Sequence, residues 1–470
     1  MIYYDIASCK SFFEFINTVE KKYKDRIAFS SRVSNVTYQE FCQMVRHCAA
    51  YFSQFKRRNI LVDITDSLHF AIAFFSVVVS GNVAVVVPEK ECQSLKIEDY
   101  LPVSFEDIET ILRNETTPIC FFSDPSIVCT IVCSSGTTSV KKGVMLSQRN
   151  ILSCMRGGMQ QFLFSQGSVY LNVLPYSHMF GIVADLLAPL YSGGTICQSR
   201  NKMSFFEDLF FFKPTNLNLP PAMISSMYHV LLETNRFDVA TGGRLKKIMC
   251  AGASYDEHLS DAFNKYGIEI YVAYGLTECS PCVSMSGESC YKKGSVGKPI
   301  PCCRVEIVDG EIVVSGENVM LGYYDEPELT KSVLRNSKLY TGDLGFLDSD
   351  GFLFLSGRKS NIIVFSSGIK INVEDIEQTI NVLPGVVESI VSPVKNSDKI
   401  SITVVSNEEG REHLLTKIKE VLKEADILFC TQNIRIQALP LQRSVLGKII
   451  RSNVYESKIL GPTQSHDCTT

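Results

Sequence analysis

Apolar residues recur at helical spacing near the start of the chain and gather into short unbroken runs further on. Over residues 11–24, Phe12, Phe13, Phe15, Ile16, Val19 and Tyr23 make one broad apolar face, which predicts an amphipathic helix. Ile27-Ala28-Phe29 reads as a short strand. Val36-Thr37-Tyr38 leads into a second helix, where Phe41, Val45, Ala49 and Phe52 recur. Residues 60–64 form another strand. Residues 69–87 are nearly all apolar and reach the roughly 18 residues of a membrane span. Ser80-Gly81-Asn82 breaks that run, so it reads instead as a buried helix ending at Gly81 and a β-branched strand stopped by Pro88. Strands and helices then alternate to about residue 270, predicting an α/β fold with largely parallel sheets.

Composition narrows the class. The chain has 470 residues, enough for two to three domains, and is 45% hydrophobic and 20% charged, an ordinary globular balance. A formal net charge of −4 gives no electrostatic footprint for nucleic acid. Met1-Ile2-Tyr3-Tyr4-Asp5 lacks a basic start and an apolar core, so no signal peptide is expected. Seventeen scattered cysteines then argue for reduced thiols and a cytoplasmic location. Cys279-Ser280-Pro281-Cys282 and Cys302-Cys303 have no second Cys-x-x-Cys or close histidine to complete a metal–thiolate site.

Candidate chemistry begins after the apolar run 126–132. The turn Ser134-Ser135-Gly136-Thr137-Thr138-Ser139-Val140-Lys141-Lys142-Gly143 is rich in small and hydroxylated residues. Small residues let backbone N–H groups approach an anion, hydroxyls add donors, and lysine adds a charge. It departs from the Walker pattern, because Val144 follows Gly143. Read alone, it fits a phosphate loop and a polar surface turn between a strand and the helix after Ser147 equally well. Leu174-Pro175-Tyr176-Ser177-His178-Met179-Phe180-Gly181 places a histidine and aromatics where a strand gives way to a helix, a place for a substrate wall. Lys247 begins a strand that ends in Ala251-Gly252-Ala253, where backbone can meet a flat ligand edge. Another strand delivers Tyr274-Gly275-Leu276-Thr277-Glu278: a ring to stack on a base, a hydroxyl for a phosphate oxygen, a carboxylate for magnesium.

Together with these stretches, several more give the chain a resemblance to the adenylate-forming superfamily, which includes acyl-CoA synthetases, luciferases and the adenylation domains of peptide synthetases. They are Gly294-Ser295-Val296-Gly297-Lys298-Pro299, Gly322-Tyr323-Tyr324, Tyr340-Thr341-Gly342-Asp343, Gly357-Arg358-Lys359-Ser360, residues 366–377, and Arg443-Ser444-Val445-Leu446-Gly447-Lys448. The resemblance runs to the C-terminal part of the chain. It implies a large N-terminal domain of α/β sheets with layered helices and a β-barrel-like subdomain over 1–356. A small, mobile α+β C-terminal domain over 357–460 would follow a hinge, and 461–470 would be a disordered tail. It implies ATP-dependent activation of a carboxylic acid to an acyl-adenylate, then displacement of AMP by the thiol of coenzyme A or of a carrier protein's phosphopantetheine. Ser134, Ser135, Gly136, Thr137, Thr138 and Lys142 would hold the β- and γ-phosphates. Thr277 would touch the α-phosphate and Glu278 would bind Mg2+. Tyr274, Gly275, Ala251, Gly252 and Ala253 would surround adenine. Asp343 would take the ribose hydroxyls, with Arg358 beside it. Lys448, Thr277 and His178 would be catalytic, with Lys448 acting in the first half-reaction.

Two regions depart from the family. In the phosphate loop, Ser139 stands where a glycine is usual and Lys141 where a proline is usual. At the hinge, Ser360 replaces the usual aspartate or lysine. His178-Met179-Phe180-Gly181 lacks the aspartate with which amino-acid-activating relatives hold an α-ammonium, and it looks most like the fatty and aryl acyl-CoA types. A fatty acid is the expected substrate, with Phe180, residues 210–212 and Met223 as an apolar tunnel. The alternatives are a stand-alone enzyme loading an acyl or peptidyl carrier protein, and a non-catalytic nucleotide- or acyl-binding scaffold.

Overall fold

Ser11 accepts a hydrogen bond from Glu14 N and starts the helix Phe12–Tyr23, which buries Phe12, Phe15, Ile16, Val19 and Tyr23. Thr37 and Glu40 form a reciprocal capping box for the helix Tyr38–Phe52, whose buried face includes Phe41, Val45, Ala49 and Phe52. These two helices and Ser67–Val79 pack around a phenylalanine cluster: Phe12 meets Phe75 edge-on at 5.5 Å, and Phe15 stacks on Phe75 at 5.5 Å. The computed structural model describes residues 9–114, 124–134, 141–162, 167–200, 202–253, 255–365, 370–394, 397–407, 411–425 and 427–441.

Two large sheets carry the N-terminal part. The nine-stranded sheet runs Lys298–Pro299, Ser284–Met285, Glu269–Tyr274, Lys247–Ala251, Asn216–Leu219, Val169–Asn172, Thr195–Gln198, Ile27–Ser30, Asn35–Thr37. Its centre is parallel and only its edges are antiparallel. The six-stranded sheet runs Gly322–Tyr323, Gly143–Ser147, Val128–Cys133, Val83–Val86, Asn59–Val62, Leu101–Val103. A third, antiparallel sheet is built from Cys303–Val308, Glu311–Gly316, Lys338–Leu347, Leu334–Arg335 and Leu353–Arg358. Beyond it, Val386–Pro393, Ile400–Ser406 and Thr431–Gln437 form a small sheet that shares its own core with the helices Val373–Asn381 and Arg411–Glu424. The fold is thus mixed α/β, with a large N-terminal domain and a smaller C-terminal one. Residues 442–470, including the expected tail, lie outside the described residues.

The apolar run 69–87 splits as its sequence predicts. The helix Ser67–Val79 ends before Gly81 at φ +85°, and the strand Val83–Val86 follows. No helix among the described residues is long and apolar enough to cross a membrane. The corner is held by Asn82, whose side chain is almost fully buried. Its Nδ2 donates to Phe52 O and Ser80 Oγ at 2.9 Å each, and its Oδ1 accepts from Arg58 N at 3.0 Å. Asn82→Ala would strand buried partners on two neighbouring segments. The expected loss is about 2 kcal/mol, read as a fall in the urea midpoint against the parent chain; an unchanged midpoint contradicts the role.

Candidate active site

The hydroxyl-rich turn sits elsewhere than its sequence suggests. It joins two antiparallel strands, Val128–Cys133 and Gly143–Ser147, with Cys133 opposite Gly143, and so does not lead from a strand into a helix. The short run Gly143-Val144-Met145-Leu146-Ser147 is a strand because Val144 and Leu146 are fully buried in the sheet. The helix begins only at Gln148, capped by Ser147. Ser134 N donates to Lys142 O at 2.9 Å, closing the neck of the loop. Ser135, Gly136, Thr137 and Thr138 lie outside the described residues. Lys141, in the place of the usual proline, forms an ion pair with Glu91 at 2.5 Å. It ties the loop's exit to the helix Glu89–Cys92.

Lys142 is brought to a carboxylate by a strand from far along the chain. Gly322–Tyr323 pairs with Gly143–Ser147, setting Tyr323 opposite Val144. Lys142 Nζ lies 5.1 Å above the Tyr323 ring, and Tyr323 Oη donates to Glu278 Oε1 at 2.8 Å. Glu278 arrives from the other large sheet, on the single turn Thr277–Cys279 after the strand Glu269–Tyr274. Its backbone oxygen accepts from Met320 N at 2.9 Å. Glu278 and Thr277 are both buried.

Asp343 is the second focus. It sits on Lys338–Leu347 opposite Arg358, whose Nε donates to Asp343 Oδ1 at 2.7 Å. Tyr274 Oη donates to Asp343 Oδ2 at 2.8 Å. Burial and the neighbouring Asp343 charge push the Tyr274 phenol well above its usual range, so it stays a donor. Arg358 also lies within electrostatic reach of Glu278, which joins the two foci. The backbone around Asp343 is fixed by Thr341, whose Oγ1 donates to Ile312 O at 2.7 Å and accepts from Asp343 N at 3.1 Å.

Beside these groups lies a cavity of about 110 Å³. Its wall includes Ala251, Gly252, Tyr274, Gly275, Thr277 and His178. A Cβ on Gly252 would meet nothing within 4 Å, so the backbone there faces open space. A Cβ on Gly275 would fall 1.9 Å from Pro281 O, so no other residue fits there without moving the chain. Ala253 is exposed and is not part of the cavity wall. Of the expected apolar tunnel, Phe180 lines the cavity, but Phe210 and Phe211 are each 51% exposed, and Phe212 and Met223 pack against a separate core. Helical alternation on Phe205–Phe212 puts those rings outside. Lys448 lies outside the described residues.

The residues present suit a nucleotide and one hard cation. Asp343 keeps a lone pair on each oxygen after its two bonds, which leaves it able to accept from a vicinal diol. The described residues hold no cluster of three or more His, Cys, Asp or Glu placed to bind a metal. A single carboxylate such as Glu278 is what magnesium needs when substrate phosphates supply further ligands. Sequence reasoning missed Tyr323 as a site residue and the Tyr274–Asp343 bond. Both depend on contacts between strands 45 or more residues apart, which no local pattern reports.

Residues 99–324 match the family described as AMP-binding enzyme. A long-chain-fatty-acid–CoA ligase of Escherichia coli O6:H1 is 27% identical over 345 residues, covering 68% of this chain. The match spans 59% of the ligase's own length, less than two thirds. A 2-succinylbenzoate–CoA ligase of Bacillus mycoides is 27% identical over 336 residues, covering 69% of this chain and 67% of that one. The fold is that of O-succinylbenzoate coenzyme A synthetase from Bacillus subtilis, solved with AMP. That match has a TM-score of 0.80 at 21% identity and covers 94% of this chain and 98% of that one.

Removing the carboxylate at 343 leaves Arg358 and the Tyr274 hydroxyl without their shared acceptor. Asp343→Ala is expected to weaken ATP binding at least about ten-fold by calorimetry, with the circular dichroism spectrum retained. Equal affinity in the two proteins would remove Asp343 from the site.

Proposed function

We propose that this protein activates a carboxylic acid with ATP, forming an acyl-adenylate and releasing pyrophosphate, and then transfers the acyl group to a thiol with release of AMP. What supports this reading is the chain of contacts that links Lys142 through Tyr323 to Glu278, and Arg358 to Asp343, next to the apolar cavity that Tyr274 and Thr277 line. An anionic acid attacking a polyanionic phosphate meets a barrier made largely of charge repulsion, and fixed cations and donors lower it. Lys142 would face the outer phosphates, Thr277 the α-phosphate, and Asp343 the ribose, with Tyr274 and Gly252 beside the base. Glu278 would hold magnesium, which supplies charge neutralisation across the phosphates. Lys448, with Arg358, would neutralise charge where the acid oxygen meets the α-phosphorus.

The acid is proposed to be a fatty acid. The stretch from His178 to Gly181 carries no carboxylate to pair with an ammonium, and the wall behind it is apolar. The names of the CoA-ligase relatives favour coenzyme A as the thiol. A carrier protein's phosphopantetheine presents the same thiol and is the alternative acceptor.

ATP–pyrophosphate exchange over a panel of fatty, aryl and amino acids tests the first half. Exchange with fatty acids is expected; exchange with none of the panel would leave a binding scaffold as the reading. Lys448→Ala is expected to lower adenylate formation on the order of 100-fold while sparing thioester formation from supplied acyl-adenylate. Equal loss of both steps contradicts its assignment to the first.

A further inference from the structure

The cavity wall is more specific than a generic apolar surface. Five methionines line it: Met155, Met159, Met179, Met249 and Met285. Met155 and Met159 stand one turn apart on the helix Gln148–Gln161, and Met285 faces that helix from the strand Ser284–Met285. Between them the helix carries Gly158, where an added Cβ would lie 3.5 Å from Met285 Sδ and 3.8 Å from its Cε. Space for about one methyl group therefore separates the helix backbone from the Met285 thioether, and these two close one side of the cavity.

No Asp, Glu, Lys or Arg is among the described residues that line it. Asn218, one of the few polar ones, has its amide hydrogens taken: Nδ2 donates to Ala184 O at 2.8 Å and to Asp185 Oδ1 at 2.7 Å. Asp185, behind that wall and fully buried, also accepts from Asn172 Nδ2, Val173 N and Leu174 N at 3.1 to 3.2 Å. Asp185 holds the wall together from behind, and the Asn218 amide hydrogens are turned to it and to Ala184 O. Apart from the His178 imidazole, a second charge on the substrate would meet no ionisable partner among the described lining residues, which is unfavourable. The volume, about 110 Å³ and shared with the wall of Gly252, Tyr274 and Thr277 that the nucleotide would face, is below the roughly 150 Å³ of a cavity that holds a benzene ring.

From the acid-activating reading, on which this rests, we propose that the substrate is a compact, singly charged aliphatic acid of roughly four to six carbons, with Gly158 and Met285 setting its length. Methionines suit such a boundary, because their unbranched thioethers adjust to a branched or straight chain without leaving a void.

Calorimetry with non-reacting acyl-adenylate mimics, adenosine acyl sulfamates running from acetyl to hexadecanoyl plus succinyl, reads the pocket without turnover. Binding is expected to be tightest from butanoyl to hexanoyl and at least about 30-fold weaker for hexadecanoyl and succinyl. Gly158→Leu is expected to lower the hexanoyl-to-acetyl affinity ratio about ten-fold. Met285→Ala, which removes volume and avoids overpacking, is expected to move the optimum to longer chains. Tightest binding by hexadecanoyl or succinyl, or an unchanged order in both variants, overturns the size and charge assignment while leaving acid activation intact. Binding in the expected order with no pyrophosphate exchange for any acid does the reverse. Failure of every mimic to bind overturns both.

Discussion

The bond between Asp343 and its two donors is the constraint on which the site depends. Tyr274 comes from the end of a central strand of the nine-stranded sheet, while Asp343 and Arg358 come from neighbouring strands of the third sheet. A buried carboxylate is tolerable only when its charge is matched and its lone pairs are used. Satisfying it therefore sets how two independently built sheets meet. The Tyr323–Glu278 bond does the same between the six-stranded and nine-stranded sheets. Each contact is structural in itself, yet each also fixes a polar group next to the cavity that Tyr274 and Thr277 line.

Most of the architecture was legible because it rests on local patterns. The amphipathic stripe from Phe12 to Tyr23, the capping signals at Ser11 and Thr37, and the break at Ser80-Gly81-Asn82 each act over a few residues. The run 143–147 was missed because five residues flanked by a turn and a helix cap carry too little periodicity. The phenylalanines at 210 and 211 were assigned inward on composition alone; their helix turns them to the surface, where Lys213 and Arg32 lie over the rings.

The site was legible as a set of motifs but not as a geometry. Tyr274, Thr277, Glu278, Asp343 and Arg358 announce themselves by residue type and order. Which of them touch was not readable, because Tyr274 and Asp343 are 69 positions apart and Arg358 meets Asp343 only through the pairing of two strands. The role of Lys141 shows the limit well. In sequence it adds a cation to a phosphate loop; in the fold that cation is spent on Glu91.

The neck of that loop has an evolutionary consequence. Its two ends are clamped to each other by the Cys133–Gly143 register and by the Ser134–Lys142 backbone bond. The register of the two strands is therefore set within the sheet and at the neck, and does not depend on which residue follows the neck. Drift is cheap at such a place. Lys141 can thus stand where a proline is usual in the adenylate-forming family, because the pairing of the strands does not rest on it and Glu91 holds its charge.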